Sequence, residues 1–177
     1  MNETKKSEFF SEMARPFLVL VVICLVAAAL LGVTNHFTKP VIEENERITA
    51  ENTRKSVLPQ ATGFVEVAVP DGVAVTSIYM DEGGSGYVIT AGSAGYGGDV
   101  VATIGFDMDG AIVGISVNAS TETQGVGTKA GDPAYYEAYL GMSDSADGVE
   151  LISGATYSST ALRAAVNAAF DAFAAIQ

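Results

Sequence analysis

The residues best placed to do chemistry lie near the end of the chain, in the string Ser153, Gly154, Ala155, Thr156, Tyr157, Ser158, Ser159. Four hydroxyls and a tyrosine surround one glycine. Leu151 and Ile152 precede the string as a short strand. After it, Leu162, Ala165, Val166, Ala169, Phe173 and Ile176 recur at three- and four-residue steps, the spacing of one helix face. A hydroxyl-rich turn into a helix start offers free backbone N–H groups at the positive end of the helix dipole, a seat for phosphate. The same string serves equally as a plain cap, with Ser158 or Ser159 at the N-cap.

Two further loops carry polar chemistry. Ser93 to Asp99 reads Ser-Ala-Gly-Tyr-Gly-Gly-Asp, and its three glycines around Tyr96 let backbone approach something flat or phosphorylated. It lacks the G-x-G-x-x-G spacing and βαβ context of a dinucleotide fold, and a glycine-rich hairpin explains it as well. Thr121 to Lys129 reads Thr-Glu-Thr-Gln-Gly-Val-Gly-Thr-Lys, a tight polar loop or a simple turn. One cysteine, Cys24, and one histidine, His36, argue against a thiolate zinc site, an iron–sulfur cluster, a disulfide framework and a Ser-His-Asp triad. Redox chemistry would therefore need an organic cofactor. Asp107-Met108-Asp109-Gly110 suggests a hairpin turn rather than calcium, because the other loop ligands are missing. Asn118-Ala119-Ser120 matches a glycosylation sequon but sits at a strand end.

These loops need elements to hold them. From Gly63 apolar residues alternate. Phe64 to Val69 and Val73 to Tyr79 read as strands joined by Pro70-Asp71-Gly72, followed by Gly86–Thr90, Asp99–Phe106 and Ala111–Asn118. Asp132-Pro133 starts a short helix through Leu140. Hairpins followed by helices predict an α+β domain with a mostly antiparallel sheet flanked by helices.

Upstream, Phe17 to Val33 is uncharged, and twelve of its seventeen residues are Leu, Ile, Val or Phe. At about −0.4 kcal/mol each, these favour membrane insertion by roughly 5 kcal/mol. A helix over 16–36 spans about 30 Å, the hydrocarbon thickness. Ala27-Ala28-Ala29 offers a signal-peptidase site, but the apolar run continues through Leu30, Leu31 and Val33, favouring an uncleaved anchor. Lys5, Lys6 and Arg15 on the amino side, against Lys39 and Arg47 diluted by Glu43, Glu44 and Glu46 on the other, predict a cytoplasmic N-terminus with the rest outside. The expected organisation is a cytoplasmic tail over 1–15, a transmembrane helix over 16–36, a helical stalk over 37–59 (Thr38 capping, Pro40 in the first turn, Pro59 ending it) and a domain over 60–177. From Val57 onward, 14 acidic residues face only Lys129 and Arg163, a balance of −12, whereas the first 56 residues cancel. An acidic domain repels phosphate backbones, which argues against nucleic acid as a partner.

Together these motifs resemble the FMN-binding domain family, which includes the G subunit of Rnf-type electron transport complexes and the C subunit of the sodium-translocating NADH:quinone reductase. The resemblance rests on an anchor, Val57-Leu58-Pro59, Gly95-Tyr96-Gly97-Gly98, Glu122-Thr123-x-Gly125-x-Gly127 and Ser153-Gly154-Ala155-Thr156, in that order. Gln124 and Val126 stand where the family has proline and leucine, and Glu150 where the attachment motif often has aspartate. It implies a covalent FMN on Thr156 through a phosphoester bond installed by a flavin transferase, with Ser153, Gly154, Ala155 and Ser159 framing the acceptor. It places Glu122 and Thr123 near the isoalloxazine edge, backbone N–H groups around Gly125, Val126 and Gly127 on the ring, and Tyr96 and Gly97 close by. Lys129 would offset phosphate or reduced-flavin charge. The implied protein is a membrane-anchored electron relay among the integral and peripheral subunits of an Rnf-type ferredoxin:NAD+ oxidoreductase that moves Na+ or H+. The alternatives are the quinone-reductase component, whose chain is usually longer, a stand-alone extracytoplasmic flavin reductase, or a flavin-free anchored binding domain.

Overall fold

The computed structural model describes residues 3–177, with side chains from residue 16 onward. Met1 and Asn2 of the expected tail lie outside the described residues, and the flanking charges Lys5, Lys6 and Arg15 lie outside the described side chains. The chain divides into two compact units, one ending at Thr49 and one from Ala50 to Gln177.

The first unit is helical. Helix α1 runs from Glu3 to Val57 and contains Pro16 and Pro40. Its apolar stretch includes an 18-residue window of mean hydropathy 3.0 with none of its residues buried. Side chains such as Leu18, Leu25, Leu30 and Leu31 are exposed, and such a length of bare apolar helix suits a bilayer. Thr38 does not cap a new helix and Pro40 does not open one, because α1 continues through both. Proline costs an internal helix one hydrogen bond and crowds the preceding turn. The helix carries on into Glu43–Arg47, where the exposed pairs Lys39–Glu43 (3.7 Å) and Glu44–Arg47 (2.8 Å) lie at helical spacing.

The second unit is an α+β domain. Strands β1 (Phe64–Val67), β2 (Ser77–Asp81), β3 (Tyr87–Ala94), β4 (Asp99–Phe106) and β5 (Ile112–Asn118) form one sheet in sequential order. Every neighbouring pair is antiparallel. The second strand begins later than alternation suggests: Val73 and Val75 precede it, though both pack on the core. The hydrophobic effect at those positions is served by partial burial alone, without a ladder.

Alternation along the strands feeds two faces. One face, with Ile78, Ile89, Ala91, Val100, Ile104 and Phe106, is buried under helix α3 (Thr156–Ile176). From α3 come Leu162, Ala165, Val166, Ala169, Phe170 and Phe173. Phe106 meets Phe170 and Phe173 at ring distances of 5.3 and 5.2 Å. On the other face, Val88 packs with Val57 and Leu58 from the end of α1, and Phe64 and Tyr79 close in around them. The Arg54 guanidinium lies 4.1 Å from the centre of the Tyr79 ring. Gly105 and Gly114 explain how the helix end comes so near. A Cβ on either would run into the Val57 carbonyl, so the sheet presents bare backbone where the chain crosses it. A 3-10 turn (Gly127–Gly131), the four-residue helix α2 (Pro133–Tyr136) and another 3-10 turn (Glu137–Tyr139) bridge β5 to α3.

Candidate functional site

Three segments distant in sequence meet beside the start of α3. The first is the tip of the β3–β4 hairpin, residues 95–98. Its strands pair up to Ala94 and Asp99, and the Gly95 N–H donates to the Gly98 carbonyl at 2.8 Å. The second is the loop leaving β5. Its Thr123 carbonyl accepts from the N–H groups of Val126, Gly127 and Thr128 at 2.9 to 3.3 Å, and its Thr121 hydroxyl donates to the Asp99 carbonyl at 3.1 Å. The third is residues 154–158.

Glu122 ties the three together. Its side chain is 5% exposed. One carboxylate oxygen accepts the Ser158 hydroxyl at 2.7 Å. The other accepts the backbone N–H groups of Gly97 at 3.1 Å and Gly98 at 3.4 Å. The Ser158 hydroxyl, and after it these N–H groups, hold the carboxyl below its ordinary range, against the opposing effect of burial. The glycines make room: a Cβ on Gly95 would strike the carboxylate, and one on Gly127 would strike both it and the Ser158 hydroxyl. The charge of Glu122 is thus spent inside the junction, and its outer edge still borders the pocket.

That pocket has a volume of about 290 Å³ and is lined by Tyr96, Glu122, Thr123, Val126, Gly127 and residues 154–158. Eight of the residues expected from sequence meet here: Tyr96, Glu122, Thr123, Val126, Gly127, Gly154, Ala155 and Thr156. Gly97 and Gly125 are exposed and outside the lining; Gly97 is tied to it through its N–H to Glu122, whereas the Gly125 N–H donates within its own loop to the Thr128 hydroxyl at 2.9 Å. Lys129 and Ser153 are exposed and outside the lining. Tyr157 and Ser158 line the pocket although the motifs assign them no site role.

The start of α3 departs from the expected cap. Its first residue is Thr156, its cap position is Ala155, and no side chain caps it. Ser158 donates to Glu122 instead. Ser159 turns inward, donating to the Ala155 carbonyl at 2.9 Å and accepting the Ile152 N–H at 3.2 Å. The N–H groups of Thr156, Tyr157 and Ser158 belong to the turn that has no intrahelical acceptors. With no side chain capping from Ala155, those donors and the helix dipole are open to an anion at the pocket. The Thr156 side chain is exposed among them. Among the described residues no cluster of three His, Cys, Asp or Glu suits a metal ion.

An uncapped helix turn, an exposed hydroxyl and flanking aromatic rings fit a phosphorylated, flat cofactor. The volume is at the low end of the roughly 300–1,000 Å³ of small-molecule sites, so part of a nucleotide-sized group would remain at the mouth.

Comparison with known proteins gives the same order of parts. Residues 95–171 match the FMN-binding domain, and residues 1–57 match the RnfG N-terminal region. The chain is 30% identical to the G subunit of the Na+-translocating ferredoxin:NAD+ oxidoreductase complex of Acetobacterium woodii, over 88% of this chain and 89% of that one. It is also 30% identical to the G subunit of the ion-translocating oxidoreductase complex of Methanosarcina acetivorans, over 90% of this chain and 94% of that one.

Proposed function

Because this chain belongs to the G-subunit family of Rnf-type ion-translocating oxidoreductase complexes, we propose that it is the membrane-anchored FMN subunit of such a complex, with its flavin esterified to Thr156. The apolar part of α1 is the single-pass anchor. The excess of Lys5, Lys6 and Arg15 on its amino side keeps that end cytoplasmic, so the domain from Ala50 onward works outside. In this reading electrons arrive from one subunit and leave to another within a complex of the kind named for the relative, a ferredoxin:NAD+ oxidoreductase. The flavin supplies the redox chemistry; the protein supplies position, electrostatics and exclusion of water.

The observation that carries this reading is the exposed Thr156 on the uncapped first turn of α3, bordering the pocket. Attachment by a flavin transferase would use a flavin dinucleotide as donor: the Thr156 hydroxyl oxygen would attack the flavin-side phosphorus, the pyrophosphate P–O bond would break, and the nucleoside monophosphate would leave with the hydroxyl proton. The first-turn N–H groups stabilise the phosphoryl charge. Thr123, Val126 and Gly127, which line the pocket, would border the ring, while the N–H groups of residues 125–127 are already donated within the loop. Lys129, exposed beside them, contributes long-range positive charge rather than a contact.

The test is fluorescence of the denatured chain on a gel after expression with a flavin transferase. A band that glows in the parent and in Ser153→Ala, and is dark in Thr156→Ala, supports the assignment. A dark parent band refutes it.

A further inference from the structure

Two tyrosines at the pocket mouth remain unused by this scheme except as walls. Tyr96 is 76% exposed and Tyr157 is 74% exposed. They come from the hairpin tip and from the second residue of α3, yet their ring centroids lie 6.3 Å apart with planes inclined by 49°. A tilted pair of this kind contributes little to folding, and leaves three quarters of each residue in water. Folding alone does not account for the pairing.

Their backbones are held in place while the rings are free. Tyr96 sits between Gly95 and Gly97, in a tip closed by the Gly95–Gly98 hydrogen bond and pinned to Glu122 through the N–H groups of Gly97 and Gly98. Tyr157 belongs to a 21-residue helix packed on the sheet. A flat ring contacting both phenols at about 3.5 Å from each needs about 7 Å between them. The observed spacing falls slightly short, and rotation of the two side chains opens it without moving the backbone.

Resting on the flavin reading above, we propose that Tyr96 and Tyr157 form a jaw that closes on the flat ring system of the cofactor at the pocket mouth. They are positioning residues that hold the part of the flavin the pocket is too small to enclose. Two consequences follow from stacking. A phenol in contact with a flavin quenches its excited state by transient electron donation, whereas a phenylalanine ring stacks but does not donate. The oxidised ring is planar and electron-poor, so contact with electron-rich phenols favours it over the reduced form and lowers the reduction potential.

The experiment uses the full-length chain expressed with a flavin transferase, with intact mass giving the flavin loading of every variant. Flavin emission is compared between folded and denatured protein. In the parent, the folded state should be several-fold dimmer than the denatured one. In the Tyr96→Phe, Tyr157→Phe double variant that difference should largely vanish at unchanged loading. In the Tyr96→Leu, Tyr157→Leu double variant the reduction potential should rise as well. A loaded, folded Phe double variant as strongly quenched as the parent overturns the jaw and leaves the flavin assignment standing. A parent without flavin by mass overturns both.

Discussion

Two buried carboxylates in this domain use the same device for different ends. Asp81, 1% exposed at the end of β2, accepts the Ser85 hydroxyl (2.7 Å) and N–H (2.9 Å), the Thr62 N–H (2.8 Å) and the Gly63 N–H (3.3 Å). Glu122 accepts one hydroxyl and two N–H groups. Each gathers loop backbone around a charge, and each is held in its ionised form by a serine hydroxyl first and by N–H groups after it. Asp81 is saturated by short bonds and borders no reactive group: it knots the approach to β1 to the β2–β3 turn. Glu122 has fewer and longer bonds, and it stands between a pocket and the first turn of a helix. A charged knot is therefore no sign of a site by itself. What distinguishes Glu122 is where it stands: it ties the hairpin tip to the first turn of α3, whose cap position, Ala155, carries no capping side chain, beside the pocket.

This contrast can be broken by substitution. Asp81→Asn should give the largest loss of thermal stability, because one oxygen and an amide replace an acceptor for four or more donors. Flavin loading of the protein that remains folded should be unchanged, as read by melting temperature and flavin-to-protein absorbance. Glu122→Gln should cost less stability but sharply reduce loading, since the junction that shapes the pocket loosens. Ser158→Ala removes one bond to a charged acceptor and should cost about 2 kcal/mol in denaturant unfolding, with a partial loss of loading.

Acid sharpens the comparison further. Both carboxyls are held below their ordinary range in the folded state, Asp81 further than Glu122. Their contribution is complete above the unfolded carboxylate value of about 4 and is lost as pH falls through the folded-state values. Stability should therefore drop below about pH 4, and Asp81→Asn should flatten that drop more than Glu122→Gln does. The smallest effect is expected from Lys129→Ala. That side chain is exposed and outside the pocket lining, so stability should stay within about 0.5 kcal/mol and loading should not change.

Much of this is legible in the chain itself. The bare apolar run from Phe17, the alternation of Asp99–Phe106 and the helical step from Leu162 to Phe173 each encode one element strongly, because a single burial pattern dominates. The start of β2 is not legible, because Val73 and Val75 are half-buried without a ladder and alternation cannot separate the two. The continuity of α1 through Pro40 is hidden because local rules place proline at a helix start. The serines resemble caps because propensity is local. Their actual partners, Glu122 at 36 residues' distance and the Ile152 N–H, come from tertiary packing. Tyr157 is silent in the sequence for the same reason: only the distant hairpin tip, through Tyr96, gives it a companion.

The central claim is that Thr156 carries the flavin. Intact mass of the protein purified from native membranes tests it most directly. The account predicts a chain heavier than its sequence by one FMN less one water, with the added mass mapped to the peptide containing Thr156. Bare polypeptide mass, or the addition on another residue, would contradict it.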